Sequence, residues 1–317
     1  MNCSCEGKTT APEFIGREEL EALNKKVLYM ETAGGRRIAF YEYGDAQGIP
    51  VIFCHGTGSH VHGMLLHKPA KRNGYRIIVP DRPGIGLSDF DPKRKLLDGA
   101  DDIAGLADHL GIKRFGIMGI SGGVPTLLAS AYKLKDRLMF VVDLAGAVPL
   151  YTDPEALKQL GAMDRFYAKV GARLPFWLFQ IPFSLLGFQQ KVLKNPQAFV
   201  KMMRSSMCEA DMTLFGNSDL QYLFMRDFQE LFRQGAKGAA FDAQLIYLPW
   251  EFEIREIKVH VDIHQGSEDK WIPPYFSQYL ARTLPDATLH MIPGQGHFYH
   301  MAYGEETLKQ VKTYIRG

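Results

Sequence analysis

The chain has 317 residues, 46% of them hydrophobic and 23% charged, with a net charge of +2. That length allows one large domain or a domain carrying an insertion, with ample apolar material for a core. The near-neutral balance and the lack of a basic block exclude an electrostatically driven nucleic-acid binder.

Residues 1 to about 25 read as a polar tail and a short helix carrying Leu20 and Leu23. Residues 27–31 and 37–43 flank Gly34-Gly35, a hairpin signal. Continuous apolar runs at 50–54, ending in His55-Gly56, and at 75–79, ending in Pro80-Asp81-Arg82-Pro83-Gly84, read as strands buried on both faces. Helical spacing holds from about 97 to 110, followed by a strand at 115–118, a helix over roughly 122–135 and an apolar run at 138–145. From about 150 to 252 strand-like runs vanish. Helical segments rich in Phe, Met and Leu replace them and hold about half of the chain's aromatic residues. The alternation resumes with a strand at 259–263, a helix at 274–284, a strand at 288–292 and a closing helix at 305–315. This rhythm predicts an α/β fold, a mostly parallel sheet with helices on both faces. Its core would be residues 1–149 plus 256–317, interrupted by a helical insertion at 150–255.

Gly119-Ile120-Ser121-Gly122-Gly123 lies between the strand at 115–118 and the helix that follows. The Gly-x-Ser-x-Gly pattern calls for a sharp strand-to-helix turn with the serine at its apex, beside a helix N-terminus that favours developing negative charge. A serine hydroxyl needs a base, and the base an orienting acid. His297, in Gly294-Gln295-Gly296-His297, follows the last strand. Asp269, in Gly266-Ser267-Glu268-Asp269, follows the strand at 259–263. Both fall in loops at the same sheet edge as Ser121, where ligands bind in open α/β folds. Glu268 is a rival acid by adjacency and His300 a rival base. The backbone N–H groups of Gly122 and of Thr57, in His55-Gly56-Thr57-Gly58, are the candidate oxyanion donors.

As a set, His55-Gly56, the run from Asp81 to Ser88, the turn at Ser121, the loop from Gly266 through Asp269 to Pro273, and Gly296-His297 resemble an α/β-hydrolase of the lid-bearing kind. The resemblance implies an eight-stranded sheet, a helical cap inserted after the sixth strand, and a Ser-His-Asp triad of Ser121, His297 and Asp269 working without a cofactor. Members that use an aspartate nucleophile are excluded by the serine at 121. Gly84-Ile85-Gly86 lacks the third glycine of a dinucleotide loop, since position 89 is Asp. His60-Val61-His62 opens like a zinc motif, but Met64 and Leu65 stand where further ligands would be needed, so no metal is expected there. His60, His62 and His67 read as surface or pocket-lining residues.

The four cysteines (Cys3, Cys5, Cys54 and Cys208) form no Cys-x-x-Cys pair or disulfide framework, and Cys3 and Cys5 are not expected to hold a metal. No secretory signal is visible, and the greasy stretch at 174–188 is too short and proline-broken to span a bilayer. A cytoplasmic protein without stable membrane insertion is expected. Most cap aromatics would form the cap's own core, and the rest an apolar pocket for a small-molecule substrate. That favours cleavage of a small, moderately hydrophobic ester, with lactone, C–C bond and amide hydrolysis as alternatives. A non-enzymatic small-molecule receptor is the alternative of another class. Aromatic cap surfaces leave a homodimer open.

Overall fold

Runs of Val, Ile and Phe that suit a pleated, doubly covered surface become the strands of one eight-stranded sheet. The computed structural model describes residues 13–192 and 194–315, so Cys3 and Cys5 lie outside the described residues. The strands are β1 (Leu28–Glu31), β2 (Arg37–Gly44), β3 (Ile49–Cys54), β4 (Tyr75–Pro80), β5 (Phe115–Ile120), β6 (Leu138–Leu144), β7 (Val261–Gly266) and β8 (Ala287–Ile292). Their spatial order is β1-β2-β4-β3-β5-β6-β7-β8. β2 is antiparallel to both β1 and β4, and every other pair is parallel. β4 lies on one side of β3 and β5 on the other, so the chain reverses its winding direction there. The loops leaving β3 and β5 therefore diverge from adjacent strand ends and open a crevice between them.

Alternate residues of each strand feed two cores. Ile52, Ile78 and Ile117 join one, while Val51, Phe53, Ile77, Val79 and Met118 join the other. This is the period-2 split of a sheet covered on both faces. Before the insertion the helices are α1 (Arg17–Asn24), α2 (His67–Asn73), α3 (Asp98–His109) and α4 (Val124–Lys133). Between β6 and β7 come only helices among the described residues: α5 (Pro154–Gln159), α6 (Ala162–Lys169), α7 (Phe176–Phe179), α8 (Ile181–Val192), α9 (Pro196–Met203), α10 (Glu209–Leu214), α11 (Ser218–Leu231) and α12 (Lys237–Tyr247). α13 (Pro274–Thr283) and α14 (Tyr299–Ile315) complete the chain. Leu106, Leu127 and Leu280 cover one sheet face; Leu20, Ala70 and Leu308 cover the other. Phe199, Phe215, Phe224, Phe228 and Phe232 of the insertion pack together with Phe298 of the sheet side.

Two elements differ by three residues or more from their reading in the sequence, and one pair of elements is not marked there at all. β7 runs from Val261 to Gly266, because pairing with β8 begins at Val261 opposite Ala287 and continues through His264 and Gln265. Those two polar residues stay in the strand although buried; Gln265 accepts a 2.6 Å hydrogen bond from Ser277 Oγ. The last helix starts at Tyr299 and runs through Gly304, which packs against Leu66. A 3₁₀ turn over His60–Leu66 leads directly into α2, neither of which periodicity had marked.

Asp143, on β6 beside Gly119, is fully buried, and neither carboxylate oxygen has a hydrogen-bond partner among the described residues. Burial pushes its pKa up to about 8. Between about pH 4 and pH 8 the unfolded chain therefore releases a proton that the folded chain keeps, so this group makes stability fall as pH rises. The slope is at most about 1.4 kcal/mol per pH unit and flattens above about pH 8. Asp143→Asn should remove that part of the slope, read as the wild-type minus variant difference in urea midpoints from about pH 5 to about pH 8.

Candidate active site

At the end of β5 the chain turns through Ser121–Gly123 into α4, with Pro125 in the helix's first turn, where its missing N–H costs nothing. Ser121 has φ +51°, a left-handed conformation that costs a side-chain-bearing residue roughly 1–2 kcal/mol. The turn fits because Gly123 lies against the β3 loop: a methyl there would come within 2.2 Å of the Cys54 carbonyl oxygen and 2.4 Å of that of His55. Close backbone packing, rather than its own φ of −86°, is what requires glycine at this position.

Asp269 and His297 meet in the loops after β7 and β8. His297 Nδ1 lies 2.8 Å from Asp269 Oδ2, and both side chains are buried. A carboxylate only accepts, so Nδ1 carries the proton and Nε2 is left as the acceptor. Asp269 Oδ1 accepts from the amides of Trp271 (2.8 Å) and Ile272 (2.9 Å), and Oδ2 also accepts from Gln265 Nε2 (3.0 Å). Four donors thus answer the burial of one charge. The Trp271 ring stacks nearly parallel to the imidazole, 5.7 Å between centroids. Of the rivals, Glu268 is exposed, while His300 is buried with its Nε2 2.8 Å from His62 Nε2. Burial holds the His300 imidazole well below the usual range.

On the facing loop, Arg82 fixes the candidate oxyanion donor. Its Nη2 donates to Gly56 O (2.8 Å), its Nη1 to His55 O, and its Nε to Asp242 Oδ2 (2.6 Å). Gly56 C=O and Thr57 N–H belong to one trans peptide and point in opposite directions. Holding the carbonyl therefore turns the Thr57 N–H away from Arg82, and it has no protein acceptor among the described residues. A methyl built on Gly122 would lie 3.0 Å from Thr57 Oγ1 and 3.6 Å from Thr57 N, so the two loops that carry the candidate donors are in close contact.

Three buried aspartates of the insertion grip these loops. Asp242 of α12 binds Arg82 and Arg94 together. Asp227 of α11 accepts from Ser59 N (2.7 Å) and Ser59 Oγ (2.8 Å), just beyond Thr57. Asp211 of α10 accepts from the amides of His297 (3.3 Å) and Phe298 (3.0 Å). It sits so close that a methyl on Gly296 would come within 2.1 Å of it.

Two cavities meet at Ser121. One, about 150 Å³, is lined by Val148, Leu150, Leu160 and Ile246, with Arg82 and Asp242 at its wall. The other, about 420 Å³, holds His297, His62, Ser206, Lys270 and Trp271. His62 is thus pocket-lining. His60 is neither that nor at the surface: it is fully buried, between Asp81 Oδ2 (2.9 Å) and Asn24 Oδ1 (2.6 Å), and it stacks on Tyr41. His67 is half-buried and accepts from Gly44 N. No cluster of three or more His, Cys, Asp or Glu with metal-binding geometry occurs among the described residues.

A family model described as "Alpha/beta hydrolase family" matches residues 51–310. The chain belongs to the alpha/beta hydrolase family. A 2-hydroxy-6-oxo-6-phenylhexa-2,4-dienoate hydrolase from Comamonas testosteroni is 31% identical over 282 residues, covering 85% of this chain and 88% of that protein. Among solved structures, a thermophilic esterase from Thermogutta terrifontis (malate bound) shares 23% identity and a TM-score of 0.63, covering 92% of this chain and 98% of that one. The enol-lactonase from Burkholderia xenovorans LB400 shares 17% identity and a TM-score of 0.63, covering 92% and 100%. The two structures share the fold with this chain.

For this hydrolase the sequence reading missed Arg82, Asp211, Asp227 and Asp242 as site-bracing residues. The one signal was Asp242, the single charged side chain between Ala239 and Tyr247. Removing Asp242 would leave two guanidiniums buried without their shared counter-ion, after burial has already pushed Arg82 down to about 10 and Arg94 to about 9. Asp242→Ala should cost about 3–5 kcal/mol of stability in denaturant titration, and Arg94→Met in the same background should cost less than it does in the wild type.

Proposed function

We propose that this hydrolase cleaves a small, moderately hydrophobic, uncharged ester or lactone by two-step acyl transfer on Ser121. The observation that carries this reading is the 2.8 Å hydrogen bond from His297 Nδ1–H to Asp269, which leaves Nε2 free to accept on the cavity that Ser121 also lines. Ser121 Oγ attacks the carbonyl carbon and its proton passes to His297 Nε2. The oxyanion is held by the Thr57 and Gly122 amides, and Asp269 stabilises the imidazolium. The leaving alkoxide takes the proton from His297, and a water deprotonated by the same imidazole then hydrolyses the acyl-enzyme. The apolar cavity beside Ser121 suits the acyl portion, and the larger cavity suits the leaving group. α5–α12 would act as the cap of the core, with the division at 150–255 read from the sequence. No step in this scheme calls for a cofactor.

A second reading is hydrolysis of a C–C bond beside a carbonyl, the reaction class suggested by relatives such as the 2-hydroxy-6-oxo-6-phenylhexa-2,4-dienoate hydrolase from Comamonas testosteroni. Lys270 in the larger cavity favours it, because its ammonium gives one hydrogen bond to Met207 O and keeps N–H donors for an acidic or enolic leaving group. A panel of p-nitrophenyl esters of graded acyl length, aliphatic lactones and a 2-hydroxy-6-oxo-dienoate separates the two. The esters and lactones should give the highest kcat/KM, and Ser121→Ala should lower kcat by roughly 10⁴-fold or more. A dienoate preferred by more than about a hundredfold would replace the ester reading with the C–C one.

A further inference from the structure

The charge that is nearly absent from the whole chain is concentrated in one part of the insertion. Residues 158–204 hold eight Lys and Arg (Lys158, Arg165, Lys169, Arg173, Lys191, Lys194, Lys201, Arg204) and a single acidic residue, Asp164, a net +7. Because the whole chain carries +2, the remaining 270 residues carry −5. The same segment holds nine of the twelve exposed large apolar side chains among the described residues. Ordinary surface scatter would spread them over the molecule.

These side chains follow helical spacing, facing away from the insertion's core. On α6 and the residue after it, Met163 (70% exposed), Phe166 and Val170 recur at three- and four-residue intervals. Across α7 and α8, Trp177 (69%), Ile181, Leu185 (64%) and Phe188 (68%) recur at intervals of four, four and three. Tyr167 packs its ring on Phe179 and Phe183, which makes α6 the neighbour of α7 and α8 and the two stripes adjacent. Lys169, Arg173, Lys194, Lys201 and Arg204 are exposed along the same segments.

We propose that this face is a peripheral docking surface for an anionic lipid bilayer, with Trp177, Leu185 and Phe188 entering the interface and the flanking lysines and arginines on the headgroups. Aromatic and aliphatic side chains on one helical face with basic residues beside them are what interfacial helices present to acidic lipids. A second copy of the chain is a poor occupant, because joining these faces would bring two +7 segments together. No helix among the described residues is long and apolar enough to cross a membrane, so the contact is lateral. Both cavities at Ser121 are lined in part by this segment, through Leu160, Asp164 and Met203. A hydrophobic small molecule dissolved in the bilayer would thus enter beside the docking face.

The test is co-sedimentation of the full chain with vesicles of phosphatidylcholine alone and of phosphatidylcholine mixed with phosphatidylglycerol. Binding is expected to the mixed vesicles and to weaken by at least about tenfold in high salt or in Lys169→Glu/Lys194→Glu/Lys201→Glu. Trp177→Ser/Phe188→Ser should lose binding to the same degree; because these residues are exposed, its circular dichroism and melting temperature should match the wild type. Vesicles with brominated acyl chains should quench the fluorescence of Trp177, and Trp177→Phe should abolish that quenching while Trp250 and Trp271 still emit. Equal binding to both vesicle types, no binding, unchanged binding by folded variants, or a concentration-dependent dimer that Trp177→Ser/Phe188→Ser dissociates would each overturn the proposal. None of these readouts depends on turnover, so they stand or fall separately from the reaction proposed for Ser121.

Discussion

The arrangement at the sheet edge depends on three buried carboxylates that belong to a different part of the chain from the loops they hold. Asp211 grips the backbone at His297, Asp227 grips Ser59 beyond Thr57, and Asp242 grips Arg82, which in turn grips Gly56. Burying a carboxylate is costly, and the cost is offset only when its lone pairs find donors. Here the donors are backbone amides, the Ser59 hydroxyl and the guanidiniums of Arg82 and Arg94, while Asp227 Oδ2 has, among the described residues, only His62 Nδ1 near it, at 3.6 Å. The insertion therefore holds those loops through hydrogen bonds and an ion pair as well as lining the cavities beside them. A change in the insertion that shifts an aspartate should be felt at Ser121 without altering any residue there.

The sheet supplies what the insertion cannot. β5 is buried at all six positions, which makes it a rigid base for a serine held in left-handed backbone geometry. That strain is tolerable because α4 on one side and the β3 loop on the other leave the turn no alternative. Asp143 is a second unfavourable feature close by, a neutral buried acid whose oxygens find no partner among the described residues. The proposed chemistry does not use it, and a destabilising group near a strained turn fits a region not optimised for stability alone.

Much of the frame was legible in the sequence, and for identifiable reasons. Doubly buried strands read as continuous apolar runs, so β3, β4, β5 and β6 stood out. The Gly-x-Ser-x-Gly turn, and the polar loops that carry Asp269 and His297 after successive strands, followed from the same pattern. The structure places Asp269 on His297 and Glu268 in solvent, a choice that adjacency had left open. What was not legible depends on partners distant in sequence. Asp227 sits 168 positions from Ser59, and Asp242 sits 160 from Arg82, so each reads locally as the wet side of an amphipathic helix. Gln265 and His264 read as a strand end because their burial is made acceptable by α13 and by a tilted ring contact between His264 and His290. His60 looked like a surface or pocket residue because nothing near it in sequence announces Asp81 and Asn24. The cavity walls were not legible either, because they combine insertion residues such as Leu160 and Ile246 with sheet-side residues such as Val148 and Trp271.

The chemistry proposed for this site rests on Ser121 acting as a nucleophile activated by His297. Its most direct measurement is the site of covalent capture by a fluorophosphonate, read by intact mass and peptide mapping. One adduct per chain is expected, on the peptide containing Ser121, with no adduct in Ser121→Ala and much slower capture in His297→Ala. An adduct on another residue, or capture that persists undiminished in Ser121→Ala, would contradict it.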